Sequence, residues 1–236
     1  MSIVQKCAVL VLPCVCYNDI MNIIKLVHSC LVVEQDGKRI LVDPGSYSWQ
    51  SDLVKPELLA GLDQVVVTHA HPDHLDERFA QAVKAASPNA IWYGPAQVTD
   101  QLSHWGINGL AASDDPKIRF IDSEHADLSP WFGEQPQHTS FVLFDDLLIG
   151  GDCHTLTSAH GARILAGAIN GGPWGGVVGF AKMIQAMADR PQVVIPLHDW
   201  HFNDEARQGI YARLPDVLSS FDATFLPLEN GVPAEI

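Results

Sequence analysis

The sequence is short of charge, and of positive charge in particular. Only 18% of its 236 residues are Asp, Glu, Lys or Arg, where about 25% is usual for a soluble domain. Lysine and arginine number 14 against 28 acidic residues, and the formal net charge is −14. Such a chain repels polyanions, so we expect no nucleic-acid partner and no anionic membrane surface as partner. No apolar run approaches the roughly 20 residues that span a bilayer.

Cysteine is scarce as well. The five cysteines are odd in number and form no C-x-x-C pair, which argues against a disulfide framework and against a structural zinc site. The cytoplasm, a reducing compartment, is therefore the expected location. An apolar run at residues 7–16 is similar to a short signal-peptide core, but Pro13 interrupts it and no small-residue cleavage site follows.

The length predicts one domain and sets the first residues apart. We interpret residues 21–236 as a single domain, because regular strand patterning begins there. Residues 1–20 are interpreted as an N-terminal extension. That extension is either an extra strand or the result of a start assigned upstream of the true one at Met21.

Strands and helices alternate along the chain, which is typical of an α/β fold. Residues 22–43 predict a strand, a turn at Asp36-Gly37 and a second strand, while residues 64–68 (Gln-Val-Val-Val-Thr) are typical of a strand buried on both faces. Further strands are predicted at residues 118–122, 140–144, 147–149, 163–169 and 192–195. Helices are predicted at residues 76–86, 95–105, 180–188 and 204–218.

Histidine, by contrast, is abundant, with 11 residues. Three of them lie with an aspartate in residues 68–74 (Thr-His-Ala-His-Pro-Asp-His), directly after a predicted buried strand. Residues at i and i+2 of an extended turn point the same way, so His69 and His71 can share one metal ion. Pro72 then redirects the chain, so that Asp73 and His74 can face a second ion. The spacing therefore indicates a two-metal site.

The segment His-x-His-x-Asp-His after a hydrophobic strand resembles the metallo-β-lactamase superfamily of metal-dependent hydrolases. Three more segments resemble that family in the same order: residues 40–45 (Ile-Leu-Val-Asp-Pro-Gly), residues 148–152 (Leu-Ile-Gly-Gly-Asp) and residues 194–198 (Val-Ile-Pro-Leu-His). The resemblance covers about residues 21–201. It implies an α/β fold, an αββα sandwich of two mixed β-sheets flanked by helices.

Finer features resemble one branch of the superfamily, the one that includes L-ascorbate-6-phosphate lactonase. These are Val27-His28-Ser29, the glycine-rich residues 171–176, and the Ile-Pro-Leu-His segment. Two positions depart from that branch. Val27 stands where the branch usually has glycine, and Cys153 stands where it usually has threonine.

Carried over by position, the family's ligands form two metal sites that share one carboxylate. The resemblance assigns His69, His71 and His125 to the first metal, Asp73, His74 and His198 to the second, and Asp152 to the bridge. Zinc is the expected ion at both positions, and manganese and iron also suit such mixed imidazole and carboxylate ligands.

The third histidine of the first metal is open between two residues. His125 follows the strand predicted at residues 118–122, which is the chain position that the family uses. His138 competes, because His138-Thr139 is similar to the Gly-His-Thr turn of the glyoxalase II branch.

Other polar residues receive supporting roles. Asp73, His154 and His201 are the candidate catalytic residues: Asp73 would orient the nucleophile, and either histidine could donate a proton to a leaving group. Asp43 is expected to accept a hydrogen bond from a ligand imidazole. The histidines that no ligand motif surrounds, His28, His104 and His160, are interpreted as structural.

Together these features predict a dinuclear hydrolase in which a metal-bridging hydroxide attacks a small lactone, ester or phosphoester. The expected partner is a small molecule, anionic or carbonyl-bearing, and homo-oligomerisation is left open. Two other functions remain as alternatives. One is a mononuclear iron enzyme similar to the persulfide dioxygenases of the superfamily, and the other is a nucleic-acid phosphodiesterase, which the acidic charge disfavours.

Overall fold

Runs of isoleucine, valine and leucine form most of the strands in this computed structural model, which describes residues 20–128, 133–170 and 176–236. The strands are β1 (Asn22–Lys25), β2 (Leu31–Gln35), β3 (Lys38–Val42), β4 (Gln64–Val66), β5 (Ile91–Tyr93), β6 (Gly109–Leu110), β7 (Ile118–Asp122), β8 (Thr139–Leu143), β9 (Leu147–Ile149), β10 (Ile164–Ala168), β11 (Val193–Leu197), β12 (Thr224–Phe225) and β13 (Pro233–Glu235). The helices are α1 (Ser46–Gln50), α2 (Pro56–Leu59), α3 (Glu77–Ala86), α4 (Ala96–His104), α5 (Val177–Ala186), α6 (Asp204–Tyr211) and α7 (Leu214–Ser219).

The strands form two mixed sheets. The first has the order β13-β1-β2-β3-β4-β5-β6, and the second has the order β12-β11-β10-β9-β8-β7. Within the first sheet β1, β3, β4, β5 and β6 run in one direction, because β1 and β3 both pair antiparallel with β2 and the later pairs are parallel. Within the second, β7, β9, β10, β11 and β12 do the same around the antiparallel β8. Aligned strand ends therefore meet at one edge of each sheet.

The core fills the space between the sheets, and two further apolar layers lie outside them. Side chains of both sheets form one buried cluster that includes Val42, Phe141 and Ile195. A second cluster packs the other face of the first sheet against α3 and α4, and a third packs the other face of the second sheet against α5 and α7. Helices thus cover both outer faces, and the predicted αββα sandwich is confirmed.

Short elements are the ones that sequence patterning missed. The strands β5, β6, β12 and β13 have two or three residues each, and α1 and α2 have five and four. No hydrophobic period can be recognised over such lengths. The single helix predicted at residues 204–218 is two helices, and Pro215 lies in the first turn of the second. Proline has no amide hydrogen to continue a preceding helix, so a break before it is expected.

Some predictions lie outside the described residues. These are the strand or extension at residues 1–19 and most of the glycine-rich loop at residues 171–176. The division into an extension and one domain therefore stays a prediction. No helix in the described part of the chain is long and apolar enough to cross a membrane.

A buried ion pair connects β1 with the loop after β11. Lys25, 1% exposed, donates from Nζ to both carboxylate oxygens of Asp199, at 3.0 and 2.9 Å, and to the carbonyl oxygen of Pro196 at 3.0 Å. The hydroxyl of Tyr211 also donates to Asp199. Because β1 belongs to one sheet and β11 to the other, the pair holds the two sheets together beside the residues that follow each strand.

The loop after β3 is in close contact with the loop after β4. A Cβ atom on Gly45 would lie 1.7 Å from the carbonyl oxygen of Asp73 and 2.7 Å from the amide nitrogen of His74. The amide of Ser46 donates to the carbonyl of Pro72 at 2.8 Å, so the contact is a hydrogen-bonded one. Glycine at position 45 therefore fixes how closely the histidine-rich loop approaches the first sheet.

Replacing Lys25 by Met should leave the buried Asp199 carboxylate without its main partner and cost about 3–5 kcal/mol of unfolding free energy. The matched change Lys38→Met breaks the exposed pair between Lys38 and Asp63 and should cost less than about 1 kcal/mol. Urea unfolding in the presence of a chelator measures both without a contribution from metal binding. Equal losses for the two variants would contradict a structural role for the buried pair.

Replacing Gly45 by Ala should push the two loops apart, lower stability by about 2 kcal/mol or more and reduce the metal content of the purified protein. Gly209→Ala is the control, because Gly209 lies within α6 and a Cβ there meets nothing within 4 Å. That control should be stabilising by about 0.5–1 kcal/mol. Thermal unfolding and metal analysis test both, and a Gly45→Ala protein with unchanged melting temperature and metal content would refute the close-approach argument.

Candidate metal centre

The ends of six aligned strands bring the candidate ligands to one edge of the sandwich. The residues follow β1 (His28), β3 (Asp43), β4 (His69, His71, Asp73 and His74), β7 (His125), β9 (Asp152) and β11 (His198). Rigid strands thus position side chains that come from segments far apart in the chain.

One group of donors consists of His69, His71 and His125. Nε2 of His69 lies 3.0 Å from Nδ1 of His71, and the ring of His125 is 4.9 Å from both rings. Nδ1 of His125 donates to the carbonyl of Ala126 at 2.7 Å, which leaves its Nε2 facing the other two. Donor atoms of the three lie close enough together to hold one metal ion.

A second group consists of Asp73, His74, His198 and His28. Oδ2 of Asp73 lies 3.4 Å from Nε2 of His198 and 3.1 Å from Nε2 of His28. One donor atom from each of the four residues lies within 4.8 Å of all the others. His28, interpreted from sequence as structural, is therefore part of this centre.

Asp152 lies between the two groups. Its Oδ1 is 3.3 Å from Nε2 of His74, and its Oδ2 is 3.2 Å from Nε2 of His198. The same Oδ2 is 3.6 Å from Nε2 of His125, a member of the other group. The carboxylate that the sequence assigns to a bridge thus faces both sets of imidazoles.

Asp43 and Thr68 orient His74. Nδ1 of His74 donates to Oδ2 of Asp43 at 2.8 Å, and the hydroxyl and amide of Thr68 donate to the two oxygens of the same carboxylate at 2.9 and 2.7 Å. A proton held on Nδ1 leaves Nε2 with its lone pair, which is the form that binds a metal. The expected hydrogen bond from a ligand imidazole to Asp43 is confirmed; the part played by Thr68 has no signal in the sequence.

Burial and charge act in opposite directions in the centre. Burial would raise the pKa of Asp152, but the imidazoles of His198 and His74 hold it well below its usual range. Burial would lower the pKa of His74, but Asp152 and Asp43 raise it well above its usual value. Burial and the neighbouring His74 lower the pKa of His69, so this imidazole keeps a free lone pair. The centre therefore combines ionised carboxylates with a neutral imidazole.

Several donor atoms of the centre have no protein partner. Among the described residues, the buried atoms without a hydrogen bond include Nε2 of His74, of His125 and of His198, and Oδ1 of Asp152. A polar atom buried without a partner costs about 1–3 kcal/mol. His74 and His198 belong to one group of donors that could hold a metal ion and His125 to another, so divalent cations bound there would satisfy these atoms. The residues present therefore fit metal binding.

The backbone is held in an uncommon conformation at three of these positions. His28, Asp43 and His198 have positive φ angles of 65°, 45° and 60°. Only a few per cent of residues other than glycine adopt this region, and such strain persists where the surroundings fix it, often at functional sites.

Comparison with known proteins agrees with this geometry. Residues 24–163 match the metallo-beta-lactamase superfamily. The chain belongs to that superfamily. A Mycobacterium tuberculosis protein is 27% identical over 216 residues, which are 87% of this chain and 96% of that one. A metal-dependent hydrolase of Aeropyrum pernix is 37% identical over 88 residues, 37% of this chain and 35% of that one.

Solved structures share the fold at lower identity. A metallo hydrolase of the hyperthermophilic archaeon Ignicoccus hospitalis superposes with a TM-score of 0.69 at 19% identity, over 92% of this chain and 98% of that one. The family match and the shared fold thus agree on the metallo-β-lactamase superfamily. The superfamily predicted from the sequence is confirmed.

His138, the competitor of His125 in this metallo-β-lactamase fold, is occupied by other contacts. Its Nδ1 lies 2.9 Å from the hydroxyl of Ser123, and its Nε2 accepts from the amide of Asp152 at 3.2 Å. His138 thus supports the backbone that carries Asp152, whereas His125 turns a free nitrogen into the centre.

The two candidate proton donors differ in position. Nε2 of His154 lies 2.9 Å from the carbonyl oxygen of Ala168, so this nitrogen is engaged with the backbone. His201 is exposed, and its ring is 5.2 Å from that of His28 and 5.6 Å from that of His198. His201 is the candidate that lies beside the donor groups.

Replacing His125 by Ala should remove about one equivalent of bound metal, because the first group would keep two of its three imidazoles. His138→Ala should keep the metal content and lose about 1 kcal/mol of stability through the broken contact with the amide of Asp152. His104→Ala, at the exposed end of α4, is the control for the loss of an imidazole. Metal analysis of the three purified variants decides the assignment, and full loading of His125→Ala would reverse it.

Proposed function

We propose that this chain is a dinuclear metal hydrolase acting on a small, neutral, carbonyl-bearing substrate such as a lactone or ester. The observation that carries the proposal is Asp152, whose carboxylate faces His74 and His198 of one donor group and His125 of the other at 3.2–3.6 Å. A carboxylate shared in this way is what a pair of ions requires.

The proposed assignment gives each ion its own imidazoles. His69, His71 and His125 would hold one ion, Asp73, His74 and His198 the other, and Asp152 both. Two bound divalent ions, zinc in the first instance, supply Lewis acidity toward a carbonyl oxygen and a water that is acidified toward neutral pH. The side chains around the two ions would orient the attacking water and transfer protons.

Asp73 is placed to orient the nucleophile. Its side chain is 22% exposed, whereas those of Asp152 and Asp43 are 2% and 1% exposed. Oδ2 of Asp73 lies 3.1 Å from Nε2 of His28, so this oxygen faces the second donor group. The other carboxylate oxygen can accept a hydrogen bond from an attacking water and direct it. His201, whose ring lies 5.2 Å from that of His28, is positioned to pass a proton to or from the leaving group.

The surroundings favour a neutral substrate over a phosphorylated one. In the described part of the chain, no lysine or arginine forms an ion pair or hydrogen bond with the clustered His and Asp side chains. Lys25, which lies nearby, is committed to Asp199. Arginine and lysine are the usual partners of phosphate groups, so an anionic substituent would find no such partner here.

The aromatic rings beside the donor groups and the nearest cavity agree with a neutral substrate. Tyr47, Trp200 and His201 form an aromatic rim, with the Tyr47 ring 6.4 Å from Trp200 and 5.4 Å from His201. On the side of His125 a cavity of 460 Å³ is lined, among the described residues, by two prolines, two glutamines, two histidines, one serine and a single carboxylate, Glu124. Aromatic and neutral polar groups suit an uncharged substrate of modest size.

The resemblance to the L-ascorbate-6-phosphate lactonase branch supports the proposed reaction, which is hydrolysis of a lactone or ester. We do not extend it to recognition of a phosphate group. Val27-His28-Ser29, one of the segments that resemble that branch, brings His28 into the centre. Lactone and ester hydrolysis both proceed by attack of water on a carbonyl carbon.

Activity should be measured on neutral and anionic substrates that share a leaving group. We expect kcat/KM for p-nitrophenyl acetate to exceed that for p-nitrophenyl phosphate and bis(p-nitrophenyl) phosphate by about tenfold or more, roughly 1.4 kcal/mol. A chelator should abolish the activity, and added zinc or manganese should restore it. γ-Butyrolactone tests the lactone directly.

The controls separate the metal centre from background hydrolysis. Asp152→Asn should abolish the activity and His104→Ala should retain it. A preference for the phosphoesters, or hydrolysis that survives chelation, would refute the proposal. One iron ion per chain with oxygen uptake on a persulfide would establish the oxidoreductase alternative instead.

A further inference from the structure

His28 has a buried imidazole that is not among the seven residues assigned above as metal ligands. It follows β1, and its residue is 1% exposed. Nε2 lies 3.1 Å from Oδ2 of Asp73, and the ring centroid is 3.7 Å from that of His198. The His28 carbonyl also accepts from the amide of His198 at 3.2 Å. The residue thus contacts two members of the second donor group, one of them through both side chain and backbone.

The turn that carries His28 is fixed on both sides. The amide and carbonyl of Val27 are both bonded to the hydroxyl of the buried Ser48, at 3.1 and 2.7 Å. The amide of Leu26 donates to the carbonyl of Cys30 at 2.9 Å across the turn. His28 itself has φ of 65°, an uncommon angle for a side chain other than glycine. The chain therefore maintains a strained backbone that directs this imidazole inward.

The spacing of donor atoms matches that among the assigned ligands. The distance of 3.1 Å from His28 to Asp73 compares with 3.4 Å from His198 to the same oxygen. His28, Asp73, His74 and His198 each offer one atom within 4.8 Å of the rest. A catalytic zinc ion keeps a coordination position for water or substrate and can be five-coordinate with it, so five protein groups at one ion would leave no position free.

We propose that His28 is an additional ligand at the Asp73-His74-His198 position, and that this closes it. With His28 and the shared Asp152, that position has five protein groups, whereas the position of His69, His71 and His125 has three and Asp152. The open position is then the one at which His71 is partly exposed and His125 lines the cavity of 460 Å³. The inference rests on the proposed dinuclear site and makes its two ions unequal: one bound tightly, the other weakly and open to substrate.

Stepwise titration of the chelator-treated protein with Co²⁺ tests the inference, by calorimetry for affinity and by visible absorption for coordination. Wild type should bind two ions with distinct dissociation constants. His28→Asn should weaken the tighter step by more than about 100-fold, beyond the 10–100-fold typical of residues that only support a ligand, and should change its absorption bands. The weaker step should move by less than about threefold.

The control is His160→Asn. His160 also has a positive φ, 54°, and lies outside the donor groups on the turn before β10, so it reproduces the same substitution on the same kind of backbone. Asparagine tolerates this conformation better than most residues. Should His28→Asn lose its native circular dichroism, His28→Gly provides the same comparison without backbone strain.

The outcomes separate this inference from the proposed function. Wild type that binds no stoichiometric Co²⁺ would overturn both. Two ions in wild type, with His28→Asn titrating like His160→Asn, would overturn the inference alone. A weakened tight step with unchanged absorption bands would also overturn it, because His28 would then position Asp73 without binding the ion.

Discussion

Four buried donor atoms that face one another without a protein partner are the constraint on which the rest of this structure depends. Three imidazole nitrogens and one carboxylate oxygen lie together at the strand ends of the sandwich, and each would be costly if left unmatched. Hydrophobic packing cannot supply their partner, whereas divalent cations suit imidazole nitrogens and carboxylate oxygens. The surrounding contacts keep these donors in place.

Those contacts form a scaffold of hydrogen bonds and one ion pair. Asp43 and Thr68 fix the ring of His74, His138 holds the amide of Asp152, and the carbonyl of Ala126 fixes His125. Lys25 and Asp199 join the two sheets beside His28 and His198. Asp43 and His138 lie in a different segment from the ligand that each orients, whereas Thr68 and Ala126 lie in the same segment as theirs. Displacement of one strand end would therefore disturb ligands on its neighbours.

Sequence patterning predicted the parts of the centre that are local. Residues 69–74 supply four donors in one short segment, so their spacing alone predicts a shared site, whereas the resemblance to the superfamily placed Asp152 and His198 with them. The position of His28 beside Asp73 was not predicted, because His28 follows a strand of four residues and the contact, 45 positions apart in the chain, leaves no periodic signal. The role of Thr68 also depends on a three-dimensional contact, whereas β5 is too short to show a hydrophobic period and a single proline decides the break between α6 and α7.

The pairing of β1 with β13 gives the molecule a late step in assembly. The amide and carbonyl of Met21 bond to those of Ile236 at 3.2 and 2.9 Å, so the first described strand has its outer neighbour at the far end of the chain. Contacts of such long sequence separation slow folding, because the intervening chain must be ordered before they form. β1 and the turn with Lys25 and His28 therefore stay at an open sheet edge until residues 233–235 are available to pair with β1.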